Sequence, residues 1–388
     1  MTPLRVFILA GEPSGDKLGG ALMNGLRTLR PDVVVEGIGG VQMQAEGLHS
    51  RFDMSELSVM GLAEILPKYR HLKRRIAQTA DAVVAMQPDV LITIDSPDFS
   101  LRVAKQVNAR STIRTVHYVA PTVWAWRAGR AAKMARHIDQ VLALLPFEPP
   151  LMQAAGMRCD FVGHPVVAEP VAMAEDAEAF RGAHGIGRAP ILLVLPGSRR
   201  SEVARLGAKF GEVVAQIKAK QPEMQIVVPA AAPVAEAVLE LTENWPATTV
   251  LDPRHGAYEA AMAEKRAAFR AANVALAASG TVSLELAAAD TPMVIAYDMS
   301  PLSRMIISRM MLVDTVTLVN LVSDTRVVPE YIGKNCEVAG ISQGVLDVLK
   351  APDAQHAAMS ITMQRLGQGG EAPGLRAARA VLDGLAQI

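Results

Sequence analysis

Short apolar runs recur along the chain, with helix-forming segments between them. The runs are rich in Val, Ile and Leu and are continuous rather than alternating, a pattern typical of strands buried on both faces of a parallel sheet. The alternation of strand and helix predicts α/β domains. We predict strands at residues 5–10, 89–94, 113–119, 140–145, 191–196, 225–230, 274–278 and 292–297, and a helix at 257–272.

Two strands end in a glycine-containing turn that opens a helix, in "FILAGEPSGDKLGG" and in "LVLPGSRRSEVARL". Two such starts predict two doubly wound, Rossmann-like domains, with the ligand in the interdomain cleft, outside the carboxyl ends of the strands. The segment between them loses strand character and contains prolines. We assign residues 1–165 to a first domain, 166–188 to a linker, 189–350 to a second domain, and 351–388 to terminal helices that could pack back on the first domain.

Composition excludes several classes of protein. Of the 388 residues, 50% are hydrophobic and 20% are charged, and Lys plus Arg (39) equals Asp plus Glu (39). No net field draws such a chain to nucleic acid. Cys159 and Cys336 fit no metal spacing or disulfide framework, and no apolar run reaches the length of a membrane span. We expect a cytoplasmic protein, or one that rests on a membrane surface.

The turn in "LPGSRRSEV" is a candidate anion site. The backbone N–H groups near Gly197 and Ser198 and the positive end of a helix would point at one place. Arg199 could add a two-pronged contact to a diphosphate. The alternative is an ordinary tight turn in which Ser198 or Ser201 caps the helix. The spacing leaves both interpretations open.

A second turn, Ser279-Gly280-Thr281, opens a helix four residues before Glu285. A carboxylate at that position could bind the two hydroxyls of a ribose. Phosphate held by N–H groups and a sugar diol held by an acid together describe a nucleotide. The alternative is a capped helix whose Glu285 is solvated.

Acidic residues come after two strands of the first half. Asp95 and Asp98 end a strongly apolar strand and include a candidate general base, although Asp beside Pro and Ser is also common turn chemistry. Glu12 and Asp16 come after the first strand, where Asp16 or Ser14 could instead cap a helix. The dinucleotide fingerprint is missing, and the histidines lack ligand spacing. We expect no metal and no cofactor.

In this order the motifs resemble the lipid-A-disaccharide synthase family. The likeness covers "AGEPSGD", "SVMGLAEILP", "IDSPDF", "HYVAPTVWAWR", "LPFE", "FVGHP", "LPGSRRSEV" and "ASGTVSLELA", from residue 10 to 286, and "VNLVSDTRVVPE", which ends at 330. The run "PTVWAWR" is far more specific than any glycine-rich loop.

The resemblance implies an inverting, metal-independent glycosyltransferase of the two-Rossmann (GT-B) type. Its substrates would be UDP-2,3-diacylglucosamine and 2,3-diacylglucosamine 1-phosphate, joined as a β-1,6 disaccharide with release of UDP. The expected partners are these two acylated sugars and a membrane surface, with a homodimer left open. Asp95 matches the position of the base, with Asp98 and Glu12 as further catalytic candidates. The positions matched to substrate binding are Ser14, Asp16, Gly197, Ser198, Arg199, Ser279, Gly280, Thr281, Glu285, Asn320 and Glu330.

The chain departs from the family pattern in its last motif. Val319 stands where the family usually has proline, and Gly333 stands where a glutamine is expected. Thr325 occupies an arginine position, with Arg326 one place later. These differences bear on the contacts of that motif and not on the fold or the reaction.

Two of the three tryptophans lie in "HYVAPTVWAWRAGR", in a chain that is 4% aromatic. Because both implied substrates carry acyl chains, Trp124 and Trp126 could lie at an apolar–polar boundary, with Arg127 meeting phosphate. The segment 58–75, which includes Met60, joins an apolar run to a cluster of cations and could do the same. A buried core is the alternative for the tryptophans. The expected location is the cytoplasmic face of the inner membrane.

Two other functions fit the same architecture. A UDP-sugar 2-epimerase would use carboxylates in the cleft without a lipid acceptor. A non-catalytic module would bind the nucleotide without turnover. Release of UDP that depends on an acylated acceptor separates these from a transferase.

Overall fold

The computed structural model describes residues 2–57, 62–126, 129–300 and 310–387, with only the backbone of residues 62–69. Met60 and Arg127 therefore lie outside the described residues and side chains. The chain folds as two compact units. The first comprises Met1–Ala168 and Leu366–Ile388, and the second comprises Glu169–Arg365.

A parallel sheet in the order β2-β1-β3-β4-β5-β6 forms the centre of the first unit. Alternate residues of a strand reach opposite faces, so Phe7 belongs to one core and Ile8 to another, and both are fully buried. The strands are β1 (Arg5–Ala10), β2 (Val34–Ile38), β3 (Val90–Ile94), β4 (Arg114–Tyr118), β5 (Gln140–Ala143) and β6 (Arg158–Phe161). The α-helices are α1 (Pro13–Leu29), α2 (Val41–Ala45), α3 (Leu62–Met86), α4 (Pro97–Asn108), α5 (Gly129–Met134), α6 (Pro149–Gln153) and the C-terminal α15 (Pro373–Leu385).

The second unit has its own parallel sheet, in the order β12-β11-β10-β7-β8-β9. Its strands are β7 (Ile191–Leu195), β8 (Gln225–Pro229), β9 (Thr248–Leu251), β10 (Val274–Ala277), β11 (Met293–Tyr297) and β12 (Glu330–Ile332). Its described α-helices are α7 (Ala174–Ala183), α8 (Arg200–Lys220), α9 (Ala235–Thr242), α10 (Tyr258–Ala271), α11 (Val282–Ala288), α12 (Leu318–Ser323), α13 (Val338–Lys350) and α14 (Asp353–Arg365). None of the helices described in either unit is long and apolar enough to cross a membrane.

The eight strands predicted from apolar runs are the interior strands of the two sheets. Strands β3 and β7 are buried along their whole length. The edge strands β2, β6, β9 and β12 are partly exposed, because an edge strand has a neighbour on one side only. The prediction of two Rossmann-like α/β domains is confirmed, although the edge strands were missed.

The unit boundaries differ from those expected. Most of the assigned linker belongs to the second unit, because its residues 174–183 form α7, which packs on α10 and buries Phe180. The prolines that indicated a linker, Pro165 and Pro170, precede this helix. The terminal helices divide between the units: α14 belongs to the second, while α15 packs on α1 in the first.

Candidate functional site

In each sheet the strand order reverses at one point, between β1 and β3 in the first unit and between β7 and β10 in the second. Ligands of doubly wound sheets bind outside the carboxyl ends of the strands that flank such a reversal. All four of these strand ends carry residues selected from the sequence. Glu12 comes after β1, Asp95 after β3, Gly197 after β7 and Ser279 after β10.

Asp95 leaves its strand through an uncommon backbone conformation. Asp95 and Ser96 have φ angles of 49° and 43°, in the left-handed region that non-glycine residues avoid. The N–H of Asp95 still donates to the carbonyl of Tyr118 on the neighbouring strand, at 3.0 Å. The chain therefore turns sharply after the last hydrogen bond between β3 and β4 and begins α4 at Pro97. The Asp95 side chain is half-buried at the carboxyl edge of the sheet, where its parallel strands end.

The ends of β1 and β3 touch at Gly11. A Cβ atom at Gly11 would lie 2.6 Å from the Ser96 hydroxyl oxygen, so this approach requires glycine. The same hydroxyl lies 3.4 Å from Glu12 Oε1. Glu12 and Asp95 thus share one corner of the sheet, while Asp98 and Ser14 lie exposed in the first turns of the adjoining helices.

Asp16 has a structural role that differs from the one expected. Its side chain is buried, with 4% of the residue exposed. The carboxylate accepts backbone N–H bonds from Gly40 (2.7 Å), Gln42 (2.9 Å) and Met43 (3.1 Å). Asp16 therefore fixes the start of α2, and it neither caps its own helix nor presents a free carboxylate to a ligand.

The tryptophan-rich stretch comes after β4, which pairs with β3, the strand that Asp95 follows. Trp124 and Trp126 are both half-buried, so neither the core nor the surface interpretation holds in full. The Trp124 indole N–H donates to Glu148 Oε1 at 3.2 Å, and its ring meets the Phe147 ring edge-on at 5.4 Å. Glu148 is buried and accepts a second N–H from Leu145 at 3.0 Å. Burial raises the pKa of Glu148 to about 7.

In the second unit, the donors of the first predicted turn converge on a carboxylate of the chain itself. The backbone N–H groups of Ser198 and Arg199 donate to Glu202 Oε2 at 3.1 and 3.3 Å. The Arg199 guanidinium donates to Oε1 of the same residue at 3.2 Å. Gly197 has a φ of 121°, and a Cβ there would lie 2.6 Å from the Glu202 Cβ. Glu202 thus caps α8 and occupies donors that the sequence assigned to phosphate.

The second predicted turn is open. Among the described residues, none accepts a hydrogen bond from the backbone N–H groups of Ser279, Gly280 or Thr281. Gly280 and Thr281 are exposed, and the space beside the Gly280 Cα is empty to 4 Å. Glu285, one turn into the adjoining helix, is half-buried and accepts a hydrogen bond from the Lys265 ammonium at 2.6 Å.

Asn320 and Glu330 are brought together, but as parts of a structural network. The Asn320 side chain is buried, accepts the Val328 N–H and donates to the Val328 carbonyl, both at 3.0 Å. Oε1 of Glu330 accepts from the Thr315 hydroxyl at 2.7 Å and from two backbone N–H groups. These contacts hold the segment before β12, and the substrate contacts expected of Asn320 and Glu330 stay a prediction. Arg326 pairs with Asp314 at 2.7 Å.

Three residues with notable contacts received no role from the sequence: Glu148 in the first unit, and Glu202 and Lys265 in the second. Glu148 lies in the quoted motif "LPFE", and Glu202 stands three residues after Arg199, which is the spacing of a capping box. Lys265 carried no signal, because its partner Glu285 is twenty positions away. Among the described residues no group of three His, Cys, Asp or Glu side chains could hold a metal ion.

Solved structures define the class of fold. UDP-GlcNAc 2-epimerase from Neisseria meningitidis, bound to UDP-GlcNAc, has a TM-score of 0.63 at 11% identity over 100% of both chains. UDP-GlcNAc 2-epimerase from Methanocaldococcus jannaschii, in complex with UDP-GlcNAc and UDP, has a TM-score of 0.59 at 13% identity over 98% of each chain. At these identities the likeness concerns the fold, which is the two-domain GT-B architecture.

Sequence relatives identify the family within that class. A family model described as lipid-A-disaccharide synthetase matches residues 6–375. The lipid-A-disaccharide synthase of Ruegeria pomeroyi is 63% identical over 383 residues, covering 98% of this chain and 96% of the relative. That of Rhodospirillum centenum is 46% identical over 391 residues, covering 99% and 95%. The chain belongs to the lipid-A-disaccharide synthetase family and is a glycosyltransferase.

Proposed function

We propose that the chain transfers 2,3-diacylglucosamine from its UDP conjugate to the 6-hydroxyl of 2,3-diacylglucosamine 1-phosphate. The products are a β-1,6-linked disaccharide 1-phosphate and UDP, with inversion at the anomeric carbon. Family membership supports the reaction. The observation that carries the choice of base is the left-handed backbone of Asp95 and Ser96. Such residues cost about 1–3 kcal/mol each and cluster at functional sites.

Asp95 acts as the general base in this proposal. It takes the proton of the acceptor 6-hydroxyl as the oxygen forms a bond to the anomeric carbon of the donor. The bond from that carbon to the UDP oxygen breaks on the opposite face, which inverts the configuration. Glu12 lies in the same corner through its contact with Ser96, and in this proposal it binds an acceptor hydroxyl.

The leaving UDP is bound by the second unit. Arg199 and the open N–H groups of the 279–281 turn stabilise the negative charge that builds on the diphosphate. To do so Arg199 exchanges its Glu202 carboxylate for a phosphate oxygen. Glu285 accepts the ribose hydroxyls. Since the guanidinium and the N–H dipoles supply the positive charge, we propose that no divalent ion is required.

Mass spectrometry of the product formed from the two acylated sugars tests the proposal. The expected product is the disaccharide 1-phosphate, formed with equimolar UDP, with an unchanged rate in EDTA. Release of a changed free sugar without the acylated acceptor would favour an epimerase. Binding of UDP in calorimetry with no turnover would favour a nucleotide-binding module.

We further propose that the first unit attaches to a membrane surface. Trp124 and Trp126 are half-buried at the sheet edge that carries Asp95, and Arg70, Lys73 and Arg74 are exposed on α3. Aromatic rings favour the boundary between apolar and polar phases, and basic residues near it favour anionic lipid.

Flotation with anionic vesicles at low and high salt tests this attachment. A variant with Trp124→Ser and Trp126→Ser should lose flotation while it remains folded by circular dichroism. Trp245→Ser, which removes a tryptophan from the second unit, is the matched control. Unfolding of the double variant would mean that the tryptophans belong to the core, and unchanged flotation would move the contact to the 58–75 segment.

A further inference from the structure

Lys265 is the described partner of Glu285, and the two residues come from different helices. The Lys265 ammonium lies 2.6 Å from Glu285 Oε2, with Lys265 on α10 and Glu285 on α11. The ammonium also lies 5.0 Å from the centroid of the Phe269 ring, one turn along its own helix. The lysine is therefore held from two sides. None of the described residues hydrogen-bonds the other oxygen of Glu285, Oε1.

The pair is too exposed to serve mainly as a source of stability. The side chains of Lys265 and Glu285 are 33% and 43% exposed, and ion pairs in such surroundings contribute little to the free energy of unfolding. Their contact does restrict where the carboxylate can point. A glutamate side chain loses rotamer freedom when it binds a ligand, and a prior contact that orders it reduces that loss.

Lys265 also lies at the edge of the sheet where the candidate nucleotide site is found. It lines a narrow hollow together with Pro229, Ala230 and Asp252, which stand at the carboxyl ends of β8 and β9. The turns after β7 and β10 leave the same edge, because all strands of this sheet are parallel.

We infer that Lys265 is a positioning residue for the ribose of the donor: it holds Oε2 of Glu285 so that the carboxylate meets the two ribose hydroxyls in a fixed orientation. The inference rests on the proposed donor site and adds to it a residue that does not touch the nucleotide. It predicts that losing Lys265 weakens the recognition of the ribose hydroxyls and leaves the diphosphate contacts unchanged.

Calorimetric dissociation constants for UDP and for 2′,3′-dideoxy-UDP (the deoxy ligand) test the inference, because the deoxy ligand lacks both ribose hydroxyls and the ratio of the two constants isolates the ribose contact. Wild type should bind UDP about 10- to 100-fold more tightly than the deoxy ligand, the range for a hydrogen bond to a charged group. Glu285→Gln should remove most of that preference. Lys265→Met should lower it about 3- to 10-fold, the range for one disordered side chain, with the deoxy ligand binding as in wild type. Lys265→Arg, which keeps an N–H donor, should restore it.

Arg270→Met is the matched control, because it removes another cation from the same helix. The Arg270 guanidinium contacts Ala289 and Asp290 rather than Glu285. The preference of this variant for UDP should equal that of wild type. If Lys265→Met weakened both ligands equally, Lys265 would contact phosphate or support the fold, and the inference would be wrong. Full preference in Glu285→Gln would also overturn it, although UDP binding would stand. A wild-type chain that bound neither ligand would instead contradict the proposed donor site.

Discussion

The carboxyl edges of the two sheets carry opposite chemical groups, although both sheets are parallel and doubly wound. The edge of the first unit carries carboxylates, with Glu12 and Asp95 at the strand reversal and Asp98 just beyond. The edge of the second unit carries donors, with the Arg199 guanidinium and the open N–H groups after β10. One edge is suited to accept a proton and the other to bind an anion. The residues at the strand ends, rather than the doubly wound fold itself, therefore determine the chemistry of each edge.

The two edges also form their turns differently. At the strand reversal of the first unit the residues with positive φ are Asp95 and Ser96, whereas at the reversal of the second unit they are Gly197 and Gly280. In the proposed reaction the first edge uses a side chain, Asp95, and the fold bears a strained backbone to present it. In the same proposal the binding group of the second edge is the backbone itself, and glycine leaves it accessible.

Asp95→Asn has the largest expected effect. Unchanged turnover in this variant would contradict the proton-accepting role given to Asp95 at the first edge. Asparagine tolerates the left-handed backbone, so the turn should survive while the base is lost. Turnover should fall about 100- to 10,000-fold, with the dissociation constant of UDP unchanged, since the proposed UDP site lies in the other unit. Asp98→Asn is the matched control and should stay close to wild type. A large loss in Asp98→Asn together with normal turnover in Asp95→Asn would transfer the role of base to Asp98.

Glu148→Gln tests whether the first edge contains a carboxylate that burial has made weakly acidic. Its pKa is raised to about 7 in the folded protein, so unfolding releases a proton between pH 4.5 and 7 and stability falls as pH rises through that window. The contribution is about 3 kcal/mol. His117 and His164, whose pKa values burial lowers to about 4, act in the opposite direction.

Urea unfolding of wild type and Glu148→Gln across pH 5 to 8 separates these groups, because the histidines are common to both proteins. The stability advantage of wild type over the variant should shrink by about 3 kcal/mol as pH rises. Parallel pH profiles would show that Glu148 is ionised normally.

Arg199→Lys sharpens the description of the second edge. Lysine keeps the charge but loses the planar fork that binds two oxygens, so the dissociation constant of UDP should rise about 10-fold. Arg205→Lys, an exposed position on the same helix, should bind UDP as wild type does. Equal affinity in both variants would mean that Arg199 acts as charge alone or does not meet the diphosphate.

Glu202→Gln has the smallest expected effect and asks whether the chain's own carboxylate competes with phosphate. Removing its charge should lower the dissociation constant of UDP a few-fold. The effect is small because an ion pair with an exposed partner such as Arg199 contributes little free energy. The helix cap should persist in part, because glutamine retains an acceptor oxygen. Weaker binding in calorimetry would instead show that Glu202 aligns Arg199 for the ligand.

The sequence predicted the strands that are buried on both faces of a sheet. Interior strands such as β3 are apolar on both faces and leave a continuous run in the sequence. Edge strand β12 is half-buried along its three residues and leaves none. Of the C-terminal helices expected to pack on the first unit, α15 does so and α14 belongs to the second, since the unit that a helix joins depends on packing partners far away in sequence.

The candidate site was predictable as a set of strand ends but not as a set of contacts. Parallel topology alone brings Asp95 and Glu12 to one corner. The sequence does not reveal that Asp16 binds the N–H groups of α2, 24 or more positions away. Nor does it reveal that the Asn320 side chain hydrogen-bonds the backbone of Val328. Such pairings arise from tertiary folding, which local patterns do not encode.

Helix α15 makes the first unit discontinuous along the chain. Ala377, Ala378 and Val381 are fully buried in the core that also contains Ile8. During synthesis the second unit, Glu169–Arg365, emerges in full before this helix does. The last helix of the first unit is thus made after every residue of the second unit, so the first unit can be completed only when synthesis of both is finished. A chain ending before residue 373 would keep the second sheet and its covering helices while leaving apolar surface of α1 open to aggregation.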